Sequence, residues 1–275
     1  MRYFGYGSNL HLEDLRRWCL ERGHAPDAIR PIGPAWLPDH EPVYHYRSVA
    51  RDGGALSVRS RLGRAVPGML FEVDAAGWRA LDAKEGDKYA RVERTVLSRG
   101  RALAAQTYLV ERAHREPALV APRPGYAALV REGLASHGLP THQAEAAAAS
   151  LVIDPFPRSI FVYGTLRRGE LRAPLLERHR PRRWTEASIR GALVHLGAYP
   201  GLVHGDDTIT GELVELDDPA AALTELDEVE DFLGWGEPGS LYLRDVVPVA
   251  GTHAWTYRYL GPPGPPIPSG DWRRR

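Results

Sequence analysis

The feature that most constrains this chain is that it is written twice. Tyr3-Phe4-Gly5-Tyr6-Gly7-Ser8-Asn9-Leu10 returns as Ile160-Phe161-Val162-Tyr163-Gly164-Thr165-Leu166. Gly68-Met69-Leu70-Phe71-Glu72-Val73-Asp74 returns as Gly211-Glu212-Leu213-Val214-Glu215-Leu216-Asp217, and Leu81-Asp82-Ala83-Lys84-Glu85 as Leu226-Asp227-Glu228-Val229-Glu230. Tyr89-Ala90-Arg91 then matches Tyr242-Leu243-Arg244, and Gln106-Thr107-Tyr108 matches Trp255-Thr256-Tyr257. Matches kept in one order and about 150 residues apart mean two copies of one folding unit.

The chain therefore reads as tandem domains, 1–153 and 158–260. They meet where the Ala-rich, helical 143–150 gives way to Asp154-Pro155-Phe156-Pro157, because proline disfavours helix in the residue before it. The Pro-rich residues 261–275 are expected to form an extended tail without a core of its own, with Arg273-Arg274-Arg275 solvated at its end.

Within each copy a short apolar run ends in Tyr-Gly-Ser/Thr. In the first a helix follows, with Leu12, Leu15 and Cys19 at helical spacing and Ser8 or Asn9 as its cap. Segments 43–48 and 67–73, like 189–195 and 209–216, have strand character. A short helix is expected at 75–84 and at 219–228, with Glu85 and Glu230 at or just beyond its end, and two strands close each copy. The helices are too few for a doubly wound βαβ fold, so the fold class is α+β with a mainly antiparallel or barrel-like sheet.

Composition narrows the function. Lys+Arg and Asp+Glu balance at 35 each, which removes the general electrostatic case for nucleic acid or an acidic membrane as partner. A single cysteine, Cys19, allows no intrachain disulfide and no Cys-rich metal site. The histidines are scattered without metal-ligand spacing, so no metal is expected. No apolar run has the length of a signal peptide or a membrane span, and the reading is a cytoplasmic protein. Arginine outnumbers lysine heavily, the only lysines being Lys84 and Lys88, as in a GC-rich bacterial source.

Two features carry chemistry. Gly5, Gly7 and Ser8, between strand and helix, let backbone N–H groups approach an anion such as a carboxylate. Glu85 ends a helix and precedes Gly86, a poor electrostatic position for a carboxylate, yet Glu230 repeats it. A carboxyl held there is open to a raised pKa, which suits proton transfer near neutral pH. Lys84 and Lys88 flank Glu85 and read as solvated.

Tyr3-Phe4-Gly5-Tyr6-Gly7-Ser8-Asn9-Leu10 with Leu81-Asp82-Ala83-Lys84-Glu85-Gly86 closely resembles γ-glutamylcyclotransferase, and Phe161-Val162-Tyr163-Gly164-Thr165-Leu166-Arg167-Arg168-Gly169 resembles its γ-glutamylamine cyclotransferase and AIG2-like branch. Pro122-Arg123-Pro124-Gly125-Tyr126, with 133–140, is similar to the substrate-closing segment of the larger enzymes, and the second copy has none. The resemblance implies two tandem domains, each a small mixed β-barrel flanked by helices, that release 5-oxoproline and a free amine or amino acid from a γ-glutamyl amide. It implies no cofactor. It makes Glu85 and Glu230 the catalytic acid/base groups. Tyr6, Gly7, Ser8, Asn9 and Tyr126 become substrate-binding in the first copy, and Tyr163, Gly164, Thr165 and Leu166 in the second. Asp231 departs from the family's usual glycine and puts the aim of Glu230 in question.

Two other readings stand beside this one. The first is a non-catalytic tandem module that binds a ligand or partner; retention of both glutamates argues against it. The second, Ser8 as the nucleophile of an acyl hydrolase, lacks a base and an acidic partner in order, and Thr165 replaces Ser8 in the repeat. The leaving amine and the oligomeric state are not legible.

Overall fold

A computed structural model describes all 275 residues. The chain divides into two compact units, the first of residues 1–98 and 103–154, the second of 99–102 and 155–275.

In the first unit β1 (Arg2–Gly5), β2 (Ile29–Ser48), β3 (Gly53–Val73), β4 (Tyr89–Ser98) and β5 (Arg101–Val110) close into a barrel of order β1-β3-β2-β4-β5. The short β1 is central. It pairs antiparallel to β3, Phe4 opposite Leu70, and parallel to β5, Tyr3 opposite Gln106, and Tyr3, Phe4 and Gly5 are all buried. A strand covered on both faces needs the unbroken apolar run seen in the sequence rather than an alternating one. Trp36 opposite Leu97 joins β2 to β4. Around the barrel lie α1 (Leu12–Glu21), α2 (Ala75–Glu85), α3 (Pro124–Ser136) and α4 (His142–Ala148).

The second unit repeats the plan with β6 (Ser159–Val162), α5 (Pro174–Glu177), β7 (Arg183–His195), β8 (Pro200–Glu215), α6 (Ala220–Val229), β9 (Tyr242–Val249) and β10 (Thr252–Tyr259). Its five-stranded sheet has the order β7-β8-β6-β10-β9, the order of the first unit strand for strand. The duplicated glycines mark one shared contact. A Cβ on Gly68 would lie 2.3 Å from the Gly5 carbonyl oxygen, and one on Gly211 would lie 2.4 Å from that of Val162. Only glycine lets these strands approach so closely.

Two expectations need correction. The cap of α1 is neither Ser8 nor Asn9, which form a short 3-10 turn, Ser8–Leu10; His11 takes the place, its Nδ1 accepting from the Asp14 N–H at 3.3 Å. Residues 261–275 are not a coreless tail. Ile267 and Trp272 are 5% and 1% exposed within the core of the second unit, and the Ile267 N–H donates to the Leu193 carbonyl at 2.8 Å. Proline supplies no N–H for a ladder, but it separates anchors that do bind, and burial of an indole outweighs the entropy of ordering a short stiff segment. Arg273, expected to be solvated, reaches Glu170 and Glu212, at 3.3 and 3.2 Å.

Candidate functional site

In the first unit β1 delivers the chain to Tyr6 and Gly7, and the Leu10 N–H closes the following turn on the Gly7 carbonyl at 3.0 Å. From the other side comes α2. Asp74 caps its start, accepting from the N–H groups of Ala76 and Gly77 at 2.9 and 3.0 Å, and Gly86 ends it in the left-handed region at φ 71°. Glu85 is thereby the last helical residue and faces the turn. A cavity of about 30 Å3 lies between them, lined by Glu85, by Tyr6, Gly7, Ser8 and Asn9, and by Tyr3, Tyr89, Tyr108 and Tyr126.

Buried Asn9 organises this cavity. Its Nδ2 donates to Glu85 Oε1 at 2.7 Å and to Tyr3 Oη at 2.9 Å, while its Oδ1 has no partner. Tyr6 Oη donates to the Tyr108 carbonyl at 2.6 Å, and Tyr108 Oη donates to Asp82 at 2.6 Å. Tyr126 arrives on the first turn of α3. That helix is tied to the same turn by His137 Nε2 at 3.0 Å from the Leu10 carbonyl, and the Tyr126 hydroxyl accepts from the Leu56 N–H at 3.3 Å.

Burial raises the Glu85 carboxyl pKa, and the Asn9 bond with the charges of Lys84 and Arg51 pulls it partly back. Burial also raises the phenols of Tyr3 and Tyr6, the charge of Glu85 adding to the effect, so both stay protonated. Lys84 is not solvated: its side chain is 5% exposed, 3.9 Å from Asp14 and over the Trp18 ring, and burial lowers its pKa. Helical spacing from Leu81 carries it inward, whereas Lys88, beyond the helix, pairs with exposed Asp87.

The second unit rebuilds this arrangement around Glu230. Tyr163 Oη donates to the Tyr257 carbonyl at 2.8 Å, and Tyr257 Oη donates to Asp227 at 2.6 Å. Even the brace behind the first strand is repeated: Thr107 Oγ1 donates to the Phe4 carbonyl at 2.8 Å, and Thr256 Oγ1 to that of Phe161 at 3.0 Å. Asp231 has a positive φ, 48°, as Gly86 has in the first unit. Aspartate tolerates that region better than most residues, so Glu230 still enters its cavity, which measures about 80 Å3. Tyr163, Gly164, Thr165 and Leu166 line it, joined by Arg172, Tyr199, Tyr242 and Tyr257.

The environments of the two glutamates nevertheless differ. Leu166 stands where Asn9 stands and offers Glu230 no donor. Burial pushes the Glu230 carboxyl up to about 7, against the pull of Arg172 and with a smaller push from Asp231. The following turn is braced by charge: Glu212 accepts from the Arg168 N–H at 2.7 Å and from Trp184 Nε1 at 2.6 Å, and Arg167 joins Glu212 to Asp271 of the C-terminal segment. In neither unit are three or more His, Cys, Asp or Glu side chains placed to share a metal ion.

All eleven site residues named from the sequence thus line one cavity or the other. The sequence reading missed Tyr3, Tyr89 and Tyr108, and likewise Arg172, Tyr199, Tyr242 and Tyr257. For the pairs Tyr89/Tyr242 and Tyr108/Tyr257 the signal was present, since both recur in the repeat. Arg172 and Tyr199 have no counterpart in the duplicated motifs and left none.

A family model described as Gamma-glutamyl cyclotransferase, AIG2-like matches residues 3–126 and again residues 160–274. The chain is 38% identical over 115 residues to the Gamma-L-glutamyl-butirosin B gamma-glutamyl cyclotransferase of Niallia circulans, which spans 38% of this chain and 68% of that one. It is 33% identical over 125 residues to the Gamma-glutamylcyclotransferase family protein YtfP of Escherichia coli (strain K12), covering 42% of this chain and 96% of that one. A solved structure titled Gamma-glutamyl cyclotransferase aligns at 23% identity and TM-score 0.46, covering 56% of this chain and 88% of that one.

Proposed function

Because this chain belongs to the Gamma-glutamyl cyclotransferase, AIG2-like family, we propose that each unit cleaves a small γ-glutamyl amide into 5-oxoproline and a free amine or amino acid. One observation carries this reading: a glutamate with a raised pKa leaves a helix end and enters a tyrosine-lined cavity beside a Tyr-Gly-Ser/Thr turn, twice in one chain.

The α-nitrogen of the substrate enters as an ammonium and leaves as a lactam amide, so it sheds two protons. The departing nitrogen enters as an amide and leaves as an ammonium, so it gains two. Glu85 or Glu230 takes a proton from the ammonium, the freed amine attacks the γ-carbonyl, and the tetrahedral intermediate collapses as the carboxyl protonates the leaving nitrogen; the carboxylate then takes the second proton from the new ring nitrogen and passes it to the departing amine. A carboxyl with a pKa near neutrality can both accept and deliver that proton, a contribution of about 10²- to 10⁴-fold. Ring closure is intramolecular, so holding the α-carboxylate on the backbone of Tyr6 to Asn9, or of Tyr163 to Leu166, fixes the reactive conformer and removes much of the entropic barrier. Tyr126 closes the first site over the glutamyl group.

The test is 5-oxoproline release from a panel of γ-glutamyl amino acids and γ-glutamyl amines by wild type, Glu85→Gln, Glu230→Gln and the double variant. Glutamine keeps the shape and removes the proton transfer. Each single variant is expected to retain the activity of the other unit, and the double variant to lose turnover by about 10²-fold or more. Full activity in the double variant would overturn the assignment, and release from no substrate by wild type would favour a binding module.

A further inference from the structure

Arg172 is an unused cation in the second cavity. Its neighbours are committed: Arg167 pairs with Glu212 and Asp271, and the Arg168 guanidinium lies over the Trp184 ring. Arg172 lines the cavity directly, its backbone N–H donates to the Thr165 carbonyl at 2.8 Å, and its guanidinium lies over the Tyr199 ring at 5.7 Å. No carboxylate comes within ion-pair distance of it. Glu230 feels its charge, which opposes the rise that burial causes. The first cavity has no lysine or arginine in its lining at all.

A partly buried guanidinium, positioned by a ring and opening on a cavity, is a site for a carboxylate, which its planar fork binds bidentately. We propose that Arg172 is a substrate-binding residue of the second unit that binds a carboxylate of the substrate, through a side chain for which the first cavity has no counterpart in its lining. This rests on reading the cavity as a γ-glutamyl amide site. Two carboxylates of such a substrate are available: the α-carboxylate of the glutamyl group, and that of the leaving group when it is an amino acid.

The experiment separates them by binding, so it does not depend on turnover. In the full-length Glu85→Gln, Glu230→Gln chain, affinity for γ-glutamyl-alanine and for γ-glutamyl-ethylamine is measured by calorimetry, with and without Arg172→Gln. The first unit supplies a constant background, and the thermal midpoint of each variant reports folding. Loss of about 10-fold or more at one site for γ-glutamyl-alanine alone assigns Arg172 to the leaving carboxylate. The same loss for both probes assigns it to the α-carboxylate. Either result supports the proposal, and Arg172→Lys should recover part of the affinity. Equal affinities with and without Arg172→Gln overturn it. Should Glu230→Gln leave 5-oxoproline release untouched while Arg172→Gln still weakens binding, the catalytic reading of this unit fails and the carboxylate site stands.

Discussion

The two units keep the same strand order, the same Tyr–Asp bond and the same Thr brace, and they diverge in how they hold the turn beside the glutamate. The first unit holds it with an added helix: α3 packs on Ser8–Leu10 and brings Tyr126 over the cavity. The second holds it with a buried ionic hub at Glu212, locked by Arg167, Asp271 and the C-terminal segment. Met69 of the first unit stands where Glu212 stands in the repeated motif, so one surface is apolar in one copy and charged in the other. Where a duplicated fold keeps its backbone and changes the props of one loop, the reaction centre is preserved while the room beside it is free to change. Here the second cavity is the larger and contains a cation.

The largest test of this contrast is Trp272→Ala. If the C-terminal segment is an integral prop, truncating a fully buried indole destabilises the second unit by about 3–5 kcal/mol and leaves the first unchanged. Denaturant unfolding would resolve the two transitions. A change within about 0.5 kcal/mol would mean the segment is a surface tail after all.

The next test is pH. In Glu85→Gln only the second unit turns over. Glu230 must be ionised to accept the ammonium proton, so kcat/KM should rise about tenfold per pH unit up to about 7 and level off above it. In Glu230→Gln the rise should lie at lower pH, because Asn9, Lys84 and Arg51 all favour the charged form of Glu85. Coincident profiles would erase the distinction between the units.

The smallest effect comes from exchanging the residues that create that difference. Asn9→Leu should move the first profile to higher pH, and Leu166→Asn the second to lower pH. Each would change the rate at pH 6 by roughly 3- to 10-fold, in opposite directions, as one hydrogen bond to a carboxylate is lost or gained. Shifts in the same direction would show that the amide acts on something other than the glutamate.

Much of the site was legible because duplication works as an internal control. Glu85 alone is an unremarkable helix-terminal residue, and its return as Glu230 separates it from the exposed acidic residues around it. Lys84 shows where such reading stops. Adjacent to Glu85 and close to Lys88 in sequence, it looks like a surface residue, yet one position of helical rotation decides that it is buried against Asp14 and Trp18.

The sequence by itself determined that there are two copies of one α+β unit, where the turn and the helix-end glutamate fall in each, and which side chains repeat. Those are local or periodic properties, written in residue order. Only the tertiary structure decided that five tyrosines face Glu85 in the first unit, that Trp272 fills the core of the second, and that Arg172 opens on its cavity unpaired. These depend on the distance between residues far apart in the chain, and on which charges burial leaves without partners, and neither is encoded in spacing along the sequence.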